Sequence, residues 1–192
     1  MAIDPLSVDL SRFDNRDFKR GVSRWTEALW LLLAAPLVES FLPGSVWRCW
    51  LLRRFGAEIG MAVVIKPRVR IKFPWRLVVG ADSWIGEDSW LDNLDWIRIG
   101  SHACISQGVY IGTGNHDWTD VGFRLMTAPV QIADQAWVCA KAIIAPGSTV
   151  GEGAVIAQAG VFSGHAEAWT RYAGNPAVSV GTRRLRAKEN PR

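Results

Sequence analysis

One side chain in this sequence is placed to move protons. His116 lies in the stretch GTGNHDWTD from Gly112 to Asp120, with Asn115 before it and Asp117 and Asp120 after it. An imidazole titrates nearer neutral pH than any other side chain, so a histidine held against a substrate can take a proton and return it. A loop histidine can also do no more than bond neighbouring backbone. What favours the chemical reading is where His116 sits in the chain.

That place is defined by a six-residue repeat. Ile132, Val138, Ile144, Val150, Ile156 and Phe162 are spaced six apart, and Val130, Ala136, Ala142, Ser148, Ala154 and Gly160 stand two residues before them. Six is neither the helix period nor a strand alternation; it suits a short strand, a turn and another short strand. Residues two apart in a strand face the same way, so both columns point inward, the small residue near a corner. Three sides close a triangular coil, and stacked coils share one aliphatic core.

The repeat begins at Ile59, with Ile65, Ile71 and Leu77. It restarts two residues on at Val79, with Ile85, Leu91 and Ile97, and again at Ile99, with Ile105 and Ile111. The first two coils thus carry small corner insertions, and residues 59–167 give about five coils. Gly60, Gly80, Gly86, Gly100, Gly112 and Gly151 each follow an inward aliphatic, which predicts tight, strained turns there. Between Ile111 and Ile132 the repeat is lost. The sequence predicts a long protruding loop over 113–131, with His116 at its root; such loops on rigid scaffolds commonly carry function.

The remaining histidines lack that setting: His102 falls at a turn position and His165 at the end of the repeat, and both read as surface residues. Cys49, Cys104 and Cys139 are odd in number, widely spaced and without a CxxC pair. That speaks against a disulfide framework or a structural zinc site, and fits a reducing cytosol. The net charge of +4 does not imply nucleic acid. The first twenty residues are polar and charged, unlike a signal peptide.

Residues 1–58 read as an irregular polar arm (1–22), a helix over 23–41 with Ser23 as N-cap, and a second helix over 45–56. The uncharged run from Ala28 to Val38 is too short to span a bilayer, and Pro36 interrupts it. These helices, with Arg48, Arg53 and Arg54 among Trp47, Trp50 and Phe55, either pack on the coil end or a neighbouring subunit, or form a peripheral membrane foot. Residues 168–192 read as a segment leaving the core, with a turn at Ala173-Gly174-Asn175-Pro176, then a basic helix or tail from Thr182.

The repeat, GNHDW at the loop root, AGNPA near the end, the tryptophan-rich N-terminal helices and RRFGA before the first coil together resemble the hexapeptide-repeat acyltransferases, most closely the colanic-acid-biosynthesis type of O-acetyltransferase. IKFPWRLVVGADSWIGEDSWLDNLDWIRIG and ISQGVYIGTGNHDWTD match that subgroup, so the resemblance covers nearly the whole chain. It implies a mainly β fold, a left-handed parallel β-helix. It also implies a homotrimer with active sites between subunits, and acetyl transfer from acetyl-CoA to a hydroxyl, usually of a sugar.

The resemblance makes His116 the catalytic base and puts the acceptor near Asp92, Asn93 and Asn115, with Trp137 at the cleft. It lines the pantetheine channel with Ala140, Gln158, Ser163 and Gly164. Many members have Thr-Lys-Asp where this chain has Ser163-Gly164-His165, so a phosphate contact falls to Lys141, Arg183 or Arg184. No metal is expected: the zinc-binding members of the superfamily use a close histidine pair on one coil, and His102, His116 and His165 are too far apart for that. The cellular place implied is the cytoplasm, at or near a membrane. The competing reading is a non-catalytic trimeric β-helix scaffold at a membrane glycan assembly.

Overall fold

The inward aliphatics build the molecule. In the computed structural model, which describes residues 7–186, they stand in three columns, one on each face of a triangular parallel coil. Ile59, Val79, Ile99, Ile132, Val150 and Ala166 line face A. Ile65, Ile85, Ile105, Val138, Ile156 and Tyr172 line face B, and Ile71, Leu91, Ile111, Ile144 and Phe162 line face C; all are buried. Strands of two or three residues pair in register with the coil before and the coil after, as in Val64↔Trp84 and Trp84↔Cys104.

The coil runs further than the repeat suggests. Of residues 168–181, Thr170–Gly174 stays on the coil as a sixth parallel strand of face B, and Ala177–Thr182 folds back on it antiparallel, almost wholly exposed. Tyr172 fills the inward position there, edge-on to Phe162 at 5.2 Å between ring centroids. An aromatic at a shortened spacing hid this strand from the aliphatic pattern. Of the expected basic helix or tail from Thr182, residues 183–186 form an irregular tail, and the remainder lies outside the described residues.

The corner glycines have a different reason from the one expected. Gly60, Gly80, Gly86, Gly100 and Gly151 are not in the left-handed region; the next coil simply leaves no room for a side chain. A Cβ on Gly80 would lie 2.4 Å from the Ser101 nitrogen. The left-handed residue comes two positions later, as at Ala62 (φ 54), Asp82 (φ 57), Asp88 (φ 60) and His102 (φ 55), and likewise at Gln135 (φ 59), two positions after Ala133. Each such residue costs roughly 1–2 kcal/mol. The coil offsets this by bonding the same residue to the preceding corner: His102 N donates to Ala81 O at 2.9 Å and Gln135 N to Ser101 O at 2.9 Å.

All the insertions fall on one edge, between faces C and A. The first holds the short helical turn Pro74–Arg76, the second spans the segment after Asp92, and the third is the 113–131 segment. That third segment is an ordered arm: Gly114–His116 pairs antiparallel with Leu125–Thr127, and Val130–Ile132 rejoins face A beside Ile97–Ile99.

The N-terminal helices close the open end of the first coil. Ser23 Oγ accepts from Thr26 N at 3.1 Å, as its N-cap role requires. The predicted single helix is instead Arg24–Leu29, a π-turn at Trp30–Ala34 and Ala35–Val38. The wider turn starts at Trp30, whose indole nitrogen reaches Lys72 O at 2.9 Å beneath the helix. The second helix is Val46–Arg54.

Candidate active site at the coil edge

The hairpin arm gives His116 its geometry. Its Nδ1 lies 2.8 Å from the Phe123 carbonyl oxygen. A carbonyl only accepts, so Nδ1 carries the hydrogen and, in the neutral ring, Nε2 keeps its lone pair. Nε2 has no bonding partner among the described residues. Phe123 presents that carbonyl from a left-handed conformation (φ 53) and stacks its own ring on the imidazole at 4.3 Å and 9°. Phe13 covers the imidazole from another side, 5.6 Å away and tilted by 57°.

The nearby carboxylates are occupied elsewhere. Asp117 accepts from Thr119 Oγ1 at 2.6 Å and Thr119 N at 3.0 Å, which holds its pKa below the usual carboxylate range, with Arg124 adding to the effect. Asp120 accepts from Gly122 N at 2.7 Å. Both serve the turn at the arm's tip. Asn115 Oδ1 accepts from His116 N at 2.8 Å. Asn115, His116, Asp117, Trp118 and Met126 line a cleft of about 240 Å³, open to solvent.

Asp92 stands on the same edge, in register with Gly112 at the arm's root. Its carboxylate accepts from Lys72 Nζ and from Tyr110 Oη, both at 3.1 Å. Burial, then the neighbouring Asp92 charge, push the Tyr110 phenol up to about 12, so it stays a donor. Asn93 must be corrected. It is fully buried, its Oδ1 accepting from Phe73 N at 2.9 Å and its Nδ2 donating to Phe73 O at 2.6 Å. It clamps one insertion to the one below and has no face for an acceptor.

The remaining site candidates divide between edges. Ser163 and Gly164 are exposed on the C–A edge, with His116 and Asp92. Trp137 is half exposed on face B, its indole nitrogen donating to Ser106 Oγ at 2.9 Å, and Ala140, Gln158 and Lys141 follow on the B–C edge. One chain does not bring these two groups together. Arg183 lies at the third edge, where its Nη1 donates to Gln135 O at 2.8 Å and Gly153 O at 3.0 Å. It straps the end of the coil, away from Ala140, Gln158, Ser163 and Gly164. Arg184 is exposed beside it.

Two elements around His116 were not anticipated. The Phe123 carbonyl is a backbone group, and the N-terminal arm looked irregular. That arm in fact reaches the tip of the hairpin: Asp9 N donates to Val121 O at 2.8 Å, and a Cβ on Gly122 would meet Arg12 O at 3.4 Å. The available signal was Phe13 and Phe18, two aromatics in an otherwise polar stretch. We predict that Phe13→Ala lowers kcat by about threefold to tenfold, the value of one aromatic pair. The KM of a substrate bound away from the arm should hold, because Phe13 packs on His116.

No family model matches the sequence. The chain is 38% identical over 177 residues to the "Putative colanic acid biosynthesis acetyltransferase WcaF" of Escherichia coli K12, covering 91% of this chain and 97% of that one. Among solved structures, a hexapeptide-repeat acetyltransferase of Vibrio cholerae O1 biovar eltor, complexed with acetyl coenzyme A, matches with a TM-score of 0.76 at 21% identity, covering 86% of this chain and 92% of that one. A maltose O-acetyltransferase from Clostridium difficile 630 matches with a TM-score of 0.76 at 22% identity, covering 85% and 90%. The shared fold is the left-handed parallel β-helix. With coil, interrupted third turn and overall similarity in agreement, this chain belongs to the hexapeptide-repeat acetyltransferases of the colanic-acid-biosynthesis type.

Proposed function

We propose that this acetyltransferase moves the acetyl group of acetyl-CoA to a sugar hydroxyl of a surface glycan, with His116 as general base. The observation that carries the reading is the fixed Nδ1–H of His116, which leaves Nε2 as a free acceptor at the mouth of a cleft. Nε2 takes the hydroxyl proton as the oxygen attacks the thioester carbonyl. The tetrahedral intermediate then expels the CoA sulfur, and the imidazolium returns its proton to that leaving thiolate. A thioester is already activated, so no acyl-enzyme is needed. Backbone N–H groups of the corners supply the oxyanion donors. Asp92, held between Lys72 and Tyr110, and Asn115 bind acceptor hydroxyls.

The division of the site between edges supports a homotrimer. The C–A edge of one subunit would bring His116, Asp92, Ser163 and Gly164. The neighbour would bring Trp137 from its face B to the cleft, and Ala140 and Gln158 from its B–C edge to the pantetheine channel. Arg183 remains a strap, which leaves Lys141 and Arg184 for the CoA phosphates, and of these Lys141 shares the B–C edge with Ala140 and Gln158. Beyond the site, the helices over 23–56 offer a contact surface toward a membrane. Similarity to a putative colanic acid biosynthesis acetyltransferase of Escherichia coli supports a glycan acceptor.

The test is CoA thiol release by purified protein with acetyl-CoA and a panel of sugars, alongside mass by light scattering. Expected are turnover with at least one sugar and a mass near three times 21.3 kDa. Release independent of acceptor identity, or a monomer that turns over at full rate, would reject the reading.

A further inference from the structure

The helix over Arg24–Leu29, Trp30–Ala34 and Ala35–Val38 buries Trp30, Ala34, Ala35 and Val38 against the first coil. A helix lying on a protein in water then turns charged residues outward. This one turns out Trp25, Leu29, Leu32, Leu33, Pro36 and Leu37, with Trp25 83%, Leu32 74% and Leu33 60% exposed. The second helix continues the surface: Trp50 is 58% exposed, and a groove of about 570 Å³ runs between Trp25, Leu29, Trp50 and Arg54.

The exposed charges beside the Trp25–Trp50 groove are basic, and the one exposed acid of the helix, Glu39, lies at its far end next to Arg70. Arg24 and Arg54 are exposed, the Arg54 guanidinium lying 5.7 Å from the centre of the Trp50 ring. The acid of the first helix, Glu27, is buried and paired with Arg20. Leu31, Leu32 and Leu33 are consecutive in the wide turn and all exposed, so they point in three different directions around the helix. One flat protein face cannot cover three such directions; a fluid apolar layer can. Anionic headgroups would neutralise Arg24 and Arg54 wherever they sit on this face. No helix among the described residues is long and apolar enough to cross a bilayer.

We infer that this helical face docks the protein onto an anionic lipid surface, its leucines in the acyl boundary, Trp25 and Trp50 at the interface and Arg24 and Arg54 at the headgroups. The inference does not depend on the acetyl-transfer reading, which CoA release in the absence of vesicles measures separately.

The experiment is flotation of the full chain with vesicles of phosphatidylcholine alone, and of phosphatidylcholine mixed with phosphatidylglycerol. Expected is flotation with the anionic vesicles, weaker by about tenfold or more with neutral ones. The double variant Leu32→Glu/Leu33→Glu should lose flotation while keeping the wild-type circular dichroism and mass. Should that variant misfold, quenching of wild-type tryptophan fluorescence by brominated anionic lipid gives the same answer: quenching supports docking, and its absence overturns it. Failure of the wild type to float, equal flotation on neutral lipid, or undiminished flotation of a folded double variant would each overturn the inference. So would a smaller assembly mass in the double variant with no flotation of the wild type, which would assign the face to contact between copies.

Discussion

Replacing His116 by alanine is expected to cut kcat by about 10² to 10⁴-fold, the range a positioned general base supplies, while acetyl-CoA binding measured by titration calorimetry stays within a fewfold of wild type. The split follows from geometry. His116 sits at the end of a hairpin arm, its Nδ1 held by Phe123 O and its free Nε2 facing a cleft. The residues assigned to the pantetheine lie on the coil itself, which the substitution does not touch. His116→Asn is the informative companion: it offers a polar group near Nδ1 but no base at the position of Nε2, so it should fall as far as alanine. A loss of acetyl-CoA affinity matching the loss of rate would make His116 a binding residue. Unchanged turnover would remove it from the mechanism.

The coil was legible because its inward columns have no alternative. A strand of two residues fixes which side chain is buried, and the stacked coil repeats that choice at Ile85, Ile105 and Val138 until the period stands out. His116 was legible for the converse reason: it marks where the period stops. The Phe123 carbonyl was not legible, because its direction depends on a left-handed φ at a phenylalanine, which sequence does not encourage anyone to expect. Phe13 reaches the imidazole only through the path of the whole arm. The burial of Asn93 follows from alternation: with Leu91 inward and Asp92 outward, residue 93 turns inward, where an amide must bond backbone. The grouping of Ala140, Gln158, Ser163, Gly164 and Arg183 failed at Arg183 because that residue follows a hairpin the repeat did not announce.

Removing Arg48 should produce the largest loss of stability of any single charged residue in the helical cap. Arg48 is fully buried, yet its guanidinium faces no carboxylate. It donates from Nε to Val38 O at 3.0 Å, from Nη1 to Gly44 O at 2.6 Å, and from Nη2 to Ser40 O at 2.8 Å and Leu42 O at 2.6 Å. These carbonyls belong to the end of one helix and the turn into the next, where backbone acceptors lose their helical donors. Burial pulls the Arg48 pKa down from the ordinary arginine range, the cost of placing that charge there. The four charged bonds offset that cost only while the guanidinium is present. Arg48→Met keeps much of the stem and removes every donor, leaving buried carbonyls unpaired, at a net cost of about 1–3 kcal/mol. Arg48→Lys should recover part of this, since one ammonium cannot spread over carbonyls that a planar fork reaches together. The measurement is the urea midpoint at constant m-value. A shift worth less than about 1 kcal/mol would mean that water replaces the guanidinium, and that the turn from Val38 to Gly44 is held by Trp30 and Leu52 packing on the first coil instead.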